Sequence, residues 1–219
     1  MSQVIFVSGI DTDSGKTYAT GFLAKKYLEE RKSVITLKFI QTGCKGYSED
    51  IQKHREIMGV EYEEDKKGIT SPIIFSYPAS AQLAAKLEEK DIDLSLVDES
   101  ISQLQKKYEI ILVEGAGGLM VPITDDYFTI DYVKERNLPL VLVSNGILGS
   151  INHTILSLEA IKARNLTLES LIYNSYFDED KVICNDTKGF LKRYLNKHFP
   201  SSNWIEIPAY SIGKGEFIK

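Results

Sequence analysis

Short runs of Val, Ile and Leu recur along the chain, and longer stretches with helical apolar spacing separate them. The runs are Val4–Val7, Ser33–Lys38, Ile110–Val113, Pro139–Val143, Leu171–Asn174 and Trp204–Ile207. Unbroken apolar runs of this length mark strands buried on both faces of a parallel sheet. Between them, Lys16 to Arg31 sets Ala19, Phe22, Leu23, Tyr27 and Leu28 roughly on one helical face. Glu49–Met58, Ser80–Glu89, Ser95–Lys107 and Ile151–Arg164 read as further helices, Thr42–Gly46 as a mobile loop, and Glu61–Lys67 as a solvated connection. Strand alternating with helix predicts an α/β fold, a doubly wound and mostly parallel sheet of about six or seven strands flanked by helices. Ligands of such a sheet bind at the carboxyl ends of its strands.

The chain has 219 residues, 43% of them hydrophobic, which suits a single domain spanning residues 1–219. A net charge of −5 with scattered lysines and arginines argues against nucleic acid as a partner. Cys44 and Cys184 lie far apart without metal or redox spacing, so both are expected to be reduced structural thiols. The start of the chain lacks a basic segment followed by an apolar signal core, and no run approaches the ~18 apolar residues of a membrane span. A soluble, cytoplasmic protein without membrane contact is expected.

Candidate chemistry begins where the first strand ends. Gly9-Ile10-Asp11-Thr12-Asp13-Ser14-Gly15-Lys16-Thr17 follows Val4–Val7 directly and opens a helix. Such a loop rings a phosphate with backbone N–H groups at the positive end of a helix. Lys16 then reaches the β- and γ-phosphates, and the Thr17 hydroxyl ligates Mg²⁺. The common spacing G-x-x-x-x-G-K-[ST] asks for a small residue at position 10, but this chain has Ile10 and carries its glycine at Gly9. The predicted architecture is therefore P-loop NTPase-like.

Other strand ends add charge at the same edge. Glu114 opens Glu114-Gly115-Ala116-Gly117-Gly118 and reads either as a Mg²⁺ ligand or as an ordinary acid before a turn. Lys38 ends the second strand, either to stabilise a transferring phosphoryl group or as a wet surface lysine. Asp50 is a second metal carboxylate or simply a charge at a helix start. Gly149-Ser150-Ile151-Asn152-His153 starts a helix whose free N–H groups suit a carboxylate, with His153 read as a capping or packing residue. Tyr173 and Tyr176 read as core or interface.

Taken together, these segments resemble the dethiobiotin synthetase family across nearly the whole chain. The resemblance rests on the phosphate loop with its offset glycine, on Glu114–Gly118, on Gly149-Ser150-Ile151-Asn152-His153-Thr154, and on Lys38 followed by Thr42-Gly43. It implies a homodimer that joins CO₂ to 7,8-diaminononanoate using ATP and Mg²⁺ to give dethiobiotin. A substrate amine becomes a carbamate, the carbamate attacks the γ-phosphate, and the second amine closes the ring as phosphate leaves. Lys16, Lys38 and Thr12 carry the catalysis in this resemblance, with Thr17, Asp50 and Glu114 as metal ligands. Asp13, Ser14, Gly15, Lys16, Thr17, Tyr18, Glu114 and Asn174 contact the nucleotide. Thr12, Lys38, Thr42, Gly117 and Gly118 contact the substrate, and Gly149, Ser150, Ile151 and Asn152 hold its carboxylate tail from the neighbouring subunit.

Departures from the family pattern are local. Phe39 replaces a proline after Lys38, Ala81-Gln82 replaces Pro-His after Ser80, and Ser175-Tyr176 follows Asn174 in place of an acidic residue. The segment beyond Ile207-Pro208-Ala209-Tyr210, which closes over the base in relatives, reads as shortened. Two alternatives share the phosphate loop. A glutamine-dependent amidase-synthetase needs a further domain and a Cys/His pair. A partitioning or metal-carrier ATPase carries an extra lysine near the loop start, and Ile10–Asp13 has none.

Overall fold

The computed structural model describes residues 2–211 and 213–218. In chain order, β1 (Gln3–Gly9) leads to α1 (Lys16–Glu29) and β2 (Val34–Lys38), then to β3 (Gln41–Thr42), α2 (Glu49–Met58), α3 (Glu63–Lys66) and β4 (Ile74–Phe75). Next come α4 (Ala81–Leu87), α5 (Ser95–Leu104), β5 (Ile110–Gly118), α6 (Thr129–Glu135), β6 (Leu140–Asn145) and α7 (Ser150–Ala163). The last elements are β7 (Leu168–Asn174), α8 (Lys181–His198), β8 (Asn203–Ile207) and an antiparallel pair, β9 (Tyr210–Ser211) with β10 (Glu216–Phe217).

Six strands form one sheet in the order β2-β5-β1-β6-β7-β8, and every pairing is parallel. The doubly wound α/β expectation holds. Side chains alternate across the pleat: Phe6, Leu37, Val113 and Leu142 join the core on one face, and Ile5, Val7, Leu112 and Val143 the core on the other. Each fully buried side chain of this kind stabilises the fold by about 1.5–3 kcal/mol. Register brings the carboxyl ends level, with Lys38 opposite Glu114, Gly9 opposite Gly118 and Val143, and Asn145 opposite Asn174.

Four local expectations change. The Glu61–Lys67 segment is not simply a solvated connection: Glu64 is buried and takes Lys107 at 2.8 Å, while Asp65 pairs with the buried Arg55. Thr42–Gly46 is tied down at its start, because β3 pairs with β4 and the Cys44 N–H donates to the Phe75 carbonyl. Strand β5 runs on through the glycines to Gly118, so Glu114 lies inside the strand. Helices α6 and α8 were not predicted; α8 buries Cys184, Thr187, Leu191 and Leu195 at helical spacing, but two of these are weakly apolar. Cys44 and Cys184 are both free and buried, as expected.

Helix α2 has clear local causes. Ser48 caps it by accepting from the Ile51 N–H, Glu49 and Asp50 sit in its positive first turn, and Gly59 ends it at a left-handed φ of 71°. It lies tightly on α1. A Cβ on Gly21 would stand 2.8 Å from Ile57 Cδ1, so any side chain there would force Ile57 to shift.

Candidate active site

The phosphate loop joins β1 to α1. Gly15 precedes the helix at φ 83°, and a Cβ there would stand 2.0 Å from Asn174 Nδ2, so glycine is required twice over. Gly9 is constrained by space alone, since a Cβ would stand 2.1 Å from Ser14 Oγ and 2.8 Å from the Asp11 carbonyl oxygen. Lys16 is buried, and its ammonium donates to the Asp11 and Thr12 carbonyls at 2.9 Å each. Burial pulls its pKa down to about 8, with Lys38 adding to the fall and Glu114 opposing it.

Four elements meet at the next residue, Thr17. The Thr17 hydroxyl of α1 donates to Asp50 Oδ1 of α2 at 2.7 Å and to Glu114 Oε1 of β5 at 3.2 Å. Lys38, at the end of β2, donates to Asp50 Oδ2 at 2.5 Å, to Glu114 Oε1 at 2.8 Å and to the Gly115 carbonyl at 3.2 Å. Burial opposes the ionisation of Glu114, yet Lys38 and then His54 hold its carboxyl well below the usual range. Burial also opposes the charge on Lys38, and Glu114 and Asp50 outweigh it, so its pKa lies above the ordinary lysine value. The surface-lysine alternative for Lys38 is thereby removed.

Two carboxylates and a hydroxyl form a hard oxygen donor set, which fits Mg²⁺, an ion that takes one or two carboxylates and completes its shell with phosphate oxygens and water. Among the described residues, no cluster of three or more His, Cys, Asp or Glu side chains could make a closed metal cage.

Beside this network, Thr12, Thr42, Ser80, Ala81, Gly117 and Val121 line a cavity of about 440 Å³. Gly117 turns at φ 66°, and Gly118 pairs with Gly9. Gly149, at φ 100°, precedes α7, whose first residue Ser150 is buried with an unpartnered hydroxyl. Ile151 and Asn152 face a different opening, an apolar groove of about 760 Å³ between α7 and α8. The structure thus gathers Thr12, Lys16, Thr17, Lys38, Asp50 and Glu114, with Thr42 and Gly117; it turns Gly149, Ile151 and Asn152 toward the α7–α8 groove, while Ser150 lines a small cleft with Asp13 and Ser14 of the loop.

His153 neither caps nor packs; its side chain is exposed in a small cleft with Asp11, Asp13 and Ser14. Asn174 is buried behind the loop, its side-chain oxygen taken by the Tyr176 N–H. Tyr176 is half-exposed, its ring parallel to that of Tyr18 at 6.4 Å. Sequence reasoning missed His54, fully buried with Nε2 2.7 Å from Glu114 Oε2. Its one signal was the four-residue spacing from Asp50, which puts both on one face of α2.

A family model described as an AAA domain matches residues 3–200. The chain is 48% identical to an ATP-dependent dethiobiotin synthetase of Pasteurella multocida, over 97% of this chain and 100% of that one. Identity to the corresponding protein of Chlorobaculum tepidum is 47%, over 90% and 82%. In fold it is similar to a putative plasmid partition protein of Borrelia burgdorferi bound to AMPPNP, with a TM-score of 0.56 at 13% identity, covering 100% of this chain and 91% of that one. A ParA family ATPase from Chlorobium tepidum gives a TM-score of 0.55 at 14% identity, covering 98% and 88%. Likeness at that identity concerns the P-loop fold alone, whereas identity near one half along most of both chains shows the family. The chain therefore belongs to the dethiobiotin synthetase family and is an enzyme of that type.

Proposed function

We propose that this protein closes the ureido ring of dethiobiotin from 7,8-diaminononanoate, CO₂ and ATP, with residues 1–219 acting as one cytoplasmic synthetase domain. The observation that carries the proposal is the meeting of Thr17, Lys38, Asp50 and Glu114 next to Lys16, whose ammonium donates to the carbonyl of Thr12, a residue that lines the cavity with Thr42 and Gly117. The loop from Asp13 to Tyr18 holds the triphosphate, and Asn174 offers its remaining amide N–H groups toward the base. Thr17, Asp50 and Glu114 would hold Mg²⁺, which when bound neutralises phosphate oxygens.

The chain's own groups position and stabilise charge. Thr12, Thr42, Gly117 and Gly118 orient the diamine. A carbamate oxygen forms its bond to the γ-phosphorus and ADP leaves, while Lys16 and Lys38 stabilise charge that moves between the two. The second amine then attacks the carbonyl carbon and phosphate departs. Holding these groups about 3 Å apart in the right order replaces any covalent intermediate on the enzyme.

A second copy of the chain completes the site in this proposal. Leu148 is 84% exposed, and Leu156 and Val182 are also exposed around the α7–α8 groove. Such a continuous apolar face is the kind that subunits bury. Gly149, Ile151 and Asn152 on that face, with Ser150 beside them at the start of α7, then meet the substrate carboxylate of the partner.

Purified protein releases phosphate from ATP only when the diamine, bicarbonate and Mg²⁺ are all present, and dethiobiotin accumulates in step. Equal phosphate release without the diamine would refute the synthetase reading and favour a nucleotide switch. Leu148→Glu shifts the protein from dimer to monomer in sedimentation; an unchanged mass would remove the dimer.

A further inference from the structure

Behind Glu114 runs a chain of hydrogen bonds that starts at Arg55. Its guanidinium is fixed by Asp65, through Nε to Oδ2 at 2.8 Å and Nη2 to Oδ1 at 2.9 Å, and Nη1 donates to Thr36 Oγ1 at 2.8 Å. Thr36 Oγ1 lies 2.9 Å from His54 Nδ1, and His54 Nε2 lies 2.7 Å from Glu114 Oε2. Thr36, His54 and Glu114 are each fully buried.

The direction of this chain follows from what each group can give. A guanidinium only donates, so Thr36 Oγ1 accepts from Arg55 and has its own proton to place. Among the described residues, its other side-chain partner is His54 Nδ1. Were Nδ1 protonated, the buried hydroxyl proton would be stranded, at a cost of about 1–3 kcal/mol. Nδ1 therefore accepts, Nε2 carries the proton, and Nε2–H donates to Glu114 Oε2. All the bonds run one way, from Arg55 to the carboxylate.

We infer that His54 is a positioning residue for the metal site: it pins Glu114 Oε2 at the back, so that Oε1 alone faces Thr17, Lys38 and the metal. This rests on the reading of Thr17, Asp50 and Glu114 as the Mg²⁺ ligands. Among the described residues, Glu114 has no other side-chain donor at Oε2, and without His54 its carboxylate is free to rotate toward Lys38. Thr36 acts one step further back, choosing the tautomer, and such supporting groups tune a metal site as strongly as many of its ligands do.

Three measurements test the inference. Imidazole ¹⁵N resonances of the histidine-labelled protein, without nucleotide, show His54 protonated at Nε2; a proton at Nδ1 overturns the relay. Calorimetric titration of Mg²⁺ into protein saturated with a non-hydrolysable ATP analogue shows affinity falling about 10–100-fold in His54→Leu. His54→Gln, whose amide can reach Glu114, recovers part of that loss. Unchanged Mg²⁺ affinity in folded His54→Leu overturns the inference, and if that variant does not fold, an unchanged affinity in both His54→Gln and Thr36→Val does so. Glu114→Gln separates the two levels: if it leaves Mg²⁺ binding intact, the metal-site reading fails, while the tautomer result still stands.

Discussion

The ammonium of Lys38 and the Glu114 carboxylate form an ion pair of 2.8 Å in which neither side chain is more than 6% exposed. A pair buried this deeply cannot lose one partner quietly, because the survivor keeps its charge without solvent. Lys38→Met is expected to destabilise the fold by about 3 kcal/mol and to lower the rate of phosphate release by about 10²–10³-fold. Thermal unfolding and steady-state kinetics measure the two effects. A stable, fully active variant would leave Lys38 no role in either.

Gly15 stands with its missing side chain against the Asn174 amide, at a backbone angle that favours glycine. Gly15→Ala is expected to cost about 1–3 kcal/mol through the left-handed backbone alone, and to abolish measurable nucleotide binding by calorimetry. Adding Asn174→Ala opens the space but not the backbone angle. The double variant should regain part of the stability; no recovery at all would mean that the contact with Asn174 is unimportant.

Away from the site, Asp98 accepts from Arg136 Nε and Nη2 at 2.6 and 2.5 Å and from the Tyr132 hydroxyl at 2.8 Å. Arg136 foremost, then Tyr132, outweighs partial burial and keeps the carboxyl below its ordinary range. A depressed folded pKa stabilises above the unfolded value, near pH 4, and the gain fades as pH falls through the folded one. With Asp98 40% exposed, screening limits the effect to about 0.5–1 kcal/mol. Asp98→Asn should therefore melt slightly lower than the native protein at pH 7, and the gap should narrow below about pH 4. A gap that widens in acid would contradict this.

Much of the fold was legible because both faces of its sheet are covered. Runs such as Val4–Val7 and Leu140–Val143 must be apolar at every position, and few other structures ask for that. The phosphate loop was legible because backbone geometry dictates its glycines. Helix α8 was not, since Cys184 and Thr187 hold half of its buried stripe and Gly189 interrupts it. His54, with only its spacing from Asp50 to mark it, was missed for a related reason. Its meaning lies in Thr36 and Glu114, residues 18 and 60 positions away, and no local pattern carries such a contact.

One position with no polar atom in its side chain governs the width of the polar centre. At Gly21 the backbone of α1 lies close against the Ile57 side chain of α2, and one turn back along α1, two along α2, the same helices bring Thr17 and Asp50 together. A methyl group at 21 would press on Ile57 and so push apart the two helices that carry those oxygens. A larger residue at 21 would widen the gap like a shim under a hinge, and every atom of the polar centre would stay chemically the same.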